Sequence, residues 1–237
     1  DEHQPLGWAV IGLGRAGNAR IRDIEASADA RLFATVSSRG VGSHTLEQAL
    51  QFKKVDACII ATANAEHAKQ ARSCLEAGKH TLVEFPLAGR AEEARALFAL
   101  ANDKGLVLHT ELIGLLTARH QAMVKCVADT HVTAVQCEFQ GGLYGWVADE
   151  MKQGHLGQLA IGRLHALWNL FGRLRLEGVQ MQQEKEGYRI DVQMSAERAD
   201  KINLVEQRRA GQARVSRLSV IGPNGALSRQ RRLEADK

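Results

Sequence analysis

Residues 7–22 read GWAVIGLGRAGNARIR. A short apolar strand, Trp8 to Gly12, runs into Gly12-x-Gly14-x-x-Gly17 and then into helix-forming residues. The glycines divide the mechanical roles among them. Gly12 makes the tight turn, Gly14 lets the backbone approach a pyrophosphate, and Gly17 lets the helix pack on the strand. Arg15 and Ala16 open that helix, whose N-terminus faces the anion. A glycine triplet alone also describes a flexible surface loop. The apolar Ala9-Val10-Ile11 before it makes this one a dinucleotide pocket.

Outward from this stretch, strand and helix alternate. Strands are expected at Trp8 to Gly12, Leu32 to Val36, Ala57 to Ala61, His80 to Glu84 and Val107 to Thr110, and helices near 15–26, 45–52, 65–77 and 90–104. Near-continuous apolar strands separated by helices imply a parallel sheet covered on both faces. The connection from the second strand to its helix, Ser37 to His44, is short for a dinucleotide fold. From about Leu112 the pattern changes. A helix (Leu115 to Ala128), a strand (Thr133 to Gln140), a glycine-rich loop (Gly141 to Trp146) and a helix (about Gln158 to Phe171) precede strand-like runs at Leu176 to Gln183, Tyr188 to Ser195, Lys201 to Gln207 and Val215 to Ile221. Gly222-Pro223-Asn224-Gly225 then turns into a last strand. Strands without intervening helices imply a mostly antiparallel open sheet. The fold class is therefore α/β: a Rossmann dinucleotide-binding domain over residues 1–112 and an α+β substrate domain over 113–237.

The 237 residues are long enough for two cores, and 45% apolar with 24% charged is ordinary for a globular chain. No apolar run approaches the roughly 18–20 residues that span a bilayer. The first residues, Asp-Glu-His-Gln-Pro, lack the basic and apolar regions of a secretory leader, which predicts a cytoplasmic protein. Cys58, Cys74, Cys126 and Cys137 lack metal or redox spacing and read as reduced thiols. Seven arginines crowd residues 208–232. Nucleic-acid binding wants aromatics interleaved in such a stripe, and this one has none; it reads as solvated strand faces or as an attractor of an acidic small molecule.

An acidic residue about twenty positions after the glycines would hydrogen-bond an NAD ribose. Here the second strand ends Val36-Ser37-Ser38-Arg39. Two hydroxyls and a guanidinium suit a 2′-phosphate, which favours NADPH with NADH as the alternative cofactor; Arg39 otherwise reads as a solvated loop residue. His109-Thr110-Glu111 has the H-x-E spacing of zinc deaminases without their P-C-x-x-C, so no metal is expected.

Further segments carry a resemblance. Gly-Leu-Gly-Arg-Ala-Gly with Ile21-Arg22-Asp23, Ala61-Thr62-Ala63-Asn64-Ala65-Glu66-His67, Ala77-Gly78-Lys79-His80 running into Val83-Glu84-Phe85-Pro86-Leu87, Val107-Leu108-His109-Thr110-Glu111, and Ile161-Gly162-Arg163-Leu164 followed by Leu170-Phe171-Gly172 resemble the Gfo/Idh/MocA oxidoreductases, and within them the bilin-reducing branch. The resemblance implies a cleft backed by the open sheet in which NADPH or NADH delivers a hydride to the central methine of biliverdin, a linear tetrapyrrole. Thr62, Asn64, His67, Glu84 and Phe85 would lie along the cofactor, with Pro86 cis; His67 otherwise reads as a cap or surface residue. Sugar-oxidising relatives carry a proton-relaying lysine where this chain has Phe85, and bilin reductases usually carry tyrosine there. A phenyl ring moves no proton. Leu112 and Gly114 replace the family's His and second Glu.

Arg163 and Glu111 are the implied catalytic residues. Arg163 would bind a propionate or polarise the bilin, or would pair with a structural carboxylate. Glu111 would orient the bilin or a water, or serve as a strand-end ion-pair partner. Tyr144 and Trp146 would stack on a flat ligand or simply pack, and His165 reads as core or surface. A reductase of another substrate, or a bilin- or nucleotide-binding protein without turnover, are the alternative functions, and the oligomeric state is left open. Family chains are expected to continue beyond the last strand with helices; this sequence ends at Asp236-Lys237.

Overall fold

A computed structural model describes residues 4–143, 148 and 160–234, the last seven by backbone alone. These residues fall into two compact units, the first up to Leu112 and the second from Ile113. Tyr144, Trp146 and the start of the expected helix at Gln158 lie outside the described residues.

The first unit alternates β1 (Leu6–Ile11), α1 (Arg15–Glu25), β2 (Ala30–Val36), α2 (Leu46–Gln51), β3 (Ala57–Ile60), α3 (His67–Glu76), β4 (His80–Val83), α4 (Ala91–Asp103) and β5 (Leu108–Thr110). All pairings are parallel, in the order β2-β1-β3-β4-β5. Period-two alternation along β1 explains the layers. Ala9 and Ile11 join Cys58, Ile60, Ala71, Leu75, Val83 and Leu97 in one core, while Val10 joins Ile24 and Ile59 in another. Because β2 and β3 lie on opposite sides of β1, the strand order reverses there, and open α/β sheets bind their ligands at such a reversal, outside the strands' C-terminal ends.

The second unit begins with α5 (Ile113–Leu116) and α6 (Ala118–Val127), followed by β6 (Val132–Gly142), α7 (Ile161–Phe171), β7 (Leu174–Glu184), β8 (Gly187–Ala196), β9 (Ala199–Arg209), β10 (Arg214–Gly222) and β11 (Gly225–Glu234). The single helix expected over 115–128 is divided at Thr117, whose hydroxyl accepts from the His120 amide and so caps α6. Strand β6 runs through the expected loop as far as Gly142.

The six-stranded sheet has the order β11-β10-β6-β9-β8-β7. Its neighbours are antiparallel apart from β6 with β9. Met123, Val127, Leu167, Leu170 and Phe171 of α6 and α7 pack on Val135, Cys137, Ile202, Leu204 and Val220 of the sheet. Arg198 donates to the Ala128 and Leu170 carbonyls, fastening the C-terminal ends of both helices to the β8–β9 turn. Among the described residues no helix is long and apolar enough to cross a membrane.

Candidate active site

The glycine loop is built as its sequence implies. Gly12 has φ +100°, and a Cβ there would stand 2.3 Å from the Ala61 carbonyl oxygen. At Gly17 a Cβ would fall on the Gly12 carbonyl oxygen, so strand and helix meet there without room for a methyl group. Gly14 differs: a Cβ would meet nothing within 4 Å. Packing does not require a glycine at that position, whereas close approach of a ligand to the backbone does. Gly14 is also the residue before α1, no side chain caps the helix, and its first turn carries no acidic residue. The first-turn N–H groups, beginning at Arg15 and Ala16, are therefore available to an anion. A dinucleotide pyrophosphate fits this loop. Asn18, which the sequence alone did not single out, donates from its side chain to the Leu13 and Gly14 carbonyls at 3.1 and 3.0 Å and fixes the loop's shape.

The short 37–44 connection is compact. Thr35 and Ser43 exchange hydrogen bonds between amide and hydroxyl, both at 3.0 Å, and the His44 amide donates to the Thr35 carbonyl. This holds Ser37, Ser38 and Arg39 as a protruding turn at the end of β2, with Ser38 and Arg39 exposed. The Ser37 hydroxyl accepts from the Arg39 amide at 3.2 Å.

At the ends of β3 and β4 two expectations separate. The Phe85–Pro86 bond is cis, as expected. His67, expected along the cofactor or at the surface, is 1% exposed, with Nδ1 2.7 Å from the Pro86 carbonyl oxygen and Nε2 3.2 Å from that of Thr62. It is a buried strut joining the start of α3 to the Phe85–Pro86 turn. Its polar atoms face the protein, which the segment's helical start alone did not reveal. Thr62 donates its hydroxyl to Gln70, and Asn64 opens a 3₁₀ turn, Asn64–Glu66, ahead of α3. Phe85 is 38% exposed, an apolar ring immediately before the cis bond.

Arg20, also missed from the sequence, reaches from α1 to the Glu84 carboxylate at 3.0 Å and to Asp23 at 2.7 Å. Burial opposes its charge, but the hydrogen bond to Glu84 and the negative charges of Glu84, Asp23 and Glu111 outweigh this and raise its pKa. Glu111 is buried, and its amide donates to the Val83 carbonyl at the end of β4. The C-terminal edge of this sheet thus gathers two carboxylates near one guanidinium.

The second unit holds the other implied catalytic residue. Arg163, in the first turn of α7, is 19% exposed and pairs with the 3%-exposed carboxylate of Glu206 on β9. The other Glu206 oxygen accepts from Arg208 at 2.8 Å. Both guanidinium groups lie over the Phe139 ring, 4.1 and 4.4 Å from its centroid, with Arg214 at 5.5 Å. Burial lowers the Arg163 pKa against the pull of Glu206. Beside the group, the buried Tyr188 hydroxyl has no hydrogen-bond partner among the described residues, and burial raises its pKa. The sequence left open whether Arg163 meets a ligand or a carboxylate; in this structure a carboxylate holds it. Other members of the arginine stripe are also matched by acids: Arg209 with Glu184 at 2.5 Å and Arg217 with Glu138 at 3.2 Å. His165 lies on the same helix, partly buried, its pKa lowered by burial.

A parallel sheet with a reversal at β1, an uncapped helix at a glycine loop and an attached open sheet define a nicotinamide-dinucleotide oxidoreductase of the Gfo/Idh/MocA class. The model of that oxidoreductase family, with its NAD-binding Rossmann fold, matches residues 6–112. The chain is 34% identical to mouse biliverdin reductase A over 94% of its own length and 78% of the relative's. It is 30% identical to the human protein of that name over 96% and 79%. Among solved structures, biliverdin reductase from Synechocystis, crystallised with biliverdin and NADP⁺, superimposes with a TM-score of 0.78. Its sequence identity is 19%, and the match covers 99% of this chain and 86% of that one. Within the class, the chain belongs to the biliverdin reductase A family.

Proposed function

We propose that the chain reduces biliverdin to bilirubin with NADPH. The observation that carries this reading is the extent of the identity with biliverdin reductase A. It runs over 94% of the chain, whereas the general oxidoreductase family model stops at Leu112. The relationship therefore includes the substrate sheet as well as the dinucleotide fold common to the class.

NADPH supplies the hydride. The open flank of Gly14 and the first-turn amides of α1 take its pyrophosphate, and Ser37, Ser38 and Arg39 take the 2′-phosphate. Thr62, Asn64, Glu84 and Phe85 line the nicotinamide end. The phenyl ring of Phe85 excludes water there without moving a proton, so protonation of the pyrrole nitrogen runs through other groups. Glu111 orients the bilin or a water, and Arg163 meets a propionate carboxylate. Charge pairing along the arginine stripe counts against a nucleic-acid surface, and the reading carries with it a cytoplasmic setting.

The test compares substrates. Purified chain with NADPH and biliverdin is expected to consume the cofactor, while NADP⁺ with galactose or inositol is expected to give no NADPH. Sugar oxidation without biliverdin reduction would refute the proposal.

A further inference from the structure

We infer that Glu206 is the positioning residue for Arg163, holding its guanidinium over Phe139 in the pose that meets the substrate carboxylate. The inference rests on the proposed reading of Arg163 and extends it to a residue that the sequence alone did not single out.

Glu206 is buried and sits on β9 directly opposite Phe139 of β6, on the sheet face that α7 covers. Its two oxygens are divided between Arg163 and Arg208. A buried carboxylate lying between two cations is stabilised by both, and each cation is held by it. Phe139 supplies the floor. Two guanidinium groups within about 4.5 Å of one ring centroid are bound by its quadrupole but repel each other, and Glu206 offsets that repulsion. Gly141, two residues along β6, keeps the floor open: a Cβ there would lie 2.7 Å from the Phe139 ring and 3.2 Å from the Arg208 guanidinium. The carboxylate, the ring and the second arginine together fix where Arg163 stands. Burial disfavours its charge, and Glu206 offsets part of that effect.

Replacing Glu206 by Gln keeps the shape, removes the charge, and turns an amide N–H toward a guanidinium that has only donors. Arg163 then loses the negative charge of Glu206 and the pose that it sets. The experiment is steady-state kinetics of the full chain with biliverdin and NADPH for wild type, Glu206→Gln, Glu206→Asp, Arg163→Ala and the Arg163→Ala/Glu206→Gln pair, with a melting curve for each. Glu206→Gln is expected to raise the KM for biliverdin about tenfold or more while leaving the KM for NADPH unchanged. Glu206→Asp is expected to recover part of the loss. The double variant should be no worse than Arg163→Ala alone, as for two residues acting through one contact.

Additive losses in the double variant, or a Glu206→Gln enzyme with wild-type KM for biliverdin, would overturn the inference while leaving the Arg163 reading intact. Wild-type kinetics in Arg163→Ala would instead overturn the Arg163 reading. Should Glu206→Gln fail to fold, Glu206→Asp provides the test on its own, because it keeps the charge while shortening the reach to Arg163. It is expected to raise the biliverdin KM selectively, and an unchanged KM would count against the inference.

Discussion

Arg39 and the glycines show how much a single side chain decides. If Arg39 faces the 2′-phosphate, Arg39→Glu exchanges a charge-assisted contact for a repulsion, a change of about 1.5–3 kcal/mol or roughly ten- to a hundredfold in NADPH affinity. NADH affinity is expected to stay within about twofold, since it has no 2′-phosphate to repel. Titration of both cofactors by quenching of protein fluorescence checks the ratio; equal weakening would remove Arg39 from the cofactor site. Gly14 and Gly17 separate folding from binding in the same loop. Gly17→Ala drives a Cβ into the Gly12 carbonyl and is expected to destabilise the cofactor-free protein by more than about 3 kcal/mol. Gly14→Ala meets open space, so its urea midpoint should stay within about 0.5 kcal/mol of wild type while NADPH binding weakens. The geometry of this loop was legible in the sequence because a glycine triplet between strand and helix has few mechanical solutions. The direction of Arg163 was not. An arginine on an amphipathic helix looks the same whether a ligand or a carboxylate waits for it, and Glu206 is 43 residues away in the chain.

At the scale of elements, the parallel alternation of the first unit was readable from buried strands such as Ala57–Ile60, in which all four residues are buried. The division of α5 from α6 was harder to foresee. The apolar pattern continues through Leu115 and Leu116, and what stops the helix is one hydroxyl at Thr117 that caps α6. The burial of His67 was hidden for a related reason. Its place at a helix start suggested access to the cofactor, but the fold turns the ring inward between the Thr62 and Pro86 carbonyls. It ties the β3–α3 junction to the β4–α4 junction. His67→Ala removes both contacts and opens a cavity, with an expected cost of about 2–4 kcal/mol in urea unfolding. The KM for NADPH in the fraction that stays folded should remain near wild type. A stable variant with weakened NADPH would restore His67 to the cofactor site.

For the whole molecule, the buried thiols set an alkaline limit. Burial pushes the Cys137 thiol from 9.0 up to about 11, with Arg163 pulling the other way and Glu206 and Glu138 reinforcing the rise. The folded protein therefore keeps this proton when the unfolded chain releases it. The resulting stability is complete below pH 9 and is lost as the pH rises through 11, amounting to about 2–3 kcal/mol. Cys74 is shifted the same way, first by its hydrogen bond with Cys58 and then by burial. Denaturation midpoints should fall between pH 9 and pH 11, less steeply in Cys137→Ala than in wild type. Identical slopes would remove Cys137 from this account. The most direct test of the central claim is the visible spectrum of the purified chain mixed with biliverdin, NADPH being added last. Catalytic loss of the long-wavelength bilin band with growth of the shorter-wavelength bilirubin band is the predicted result. A bilin that binds, shifts its spectrum and then persists through excess NADPH would contradict reduction and mark a binding protein on a reductase fold.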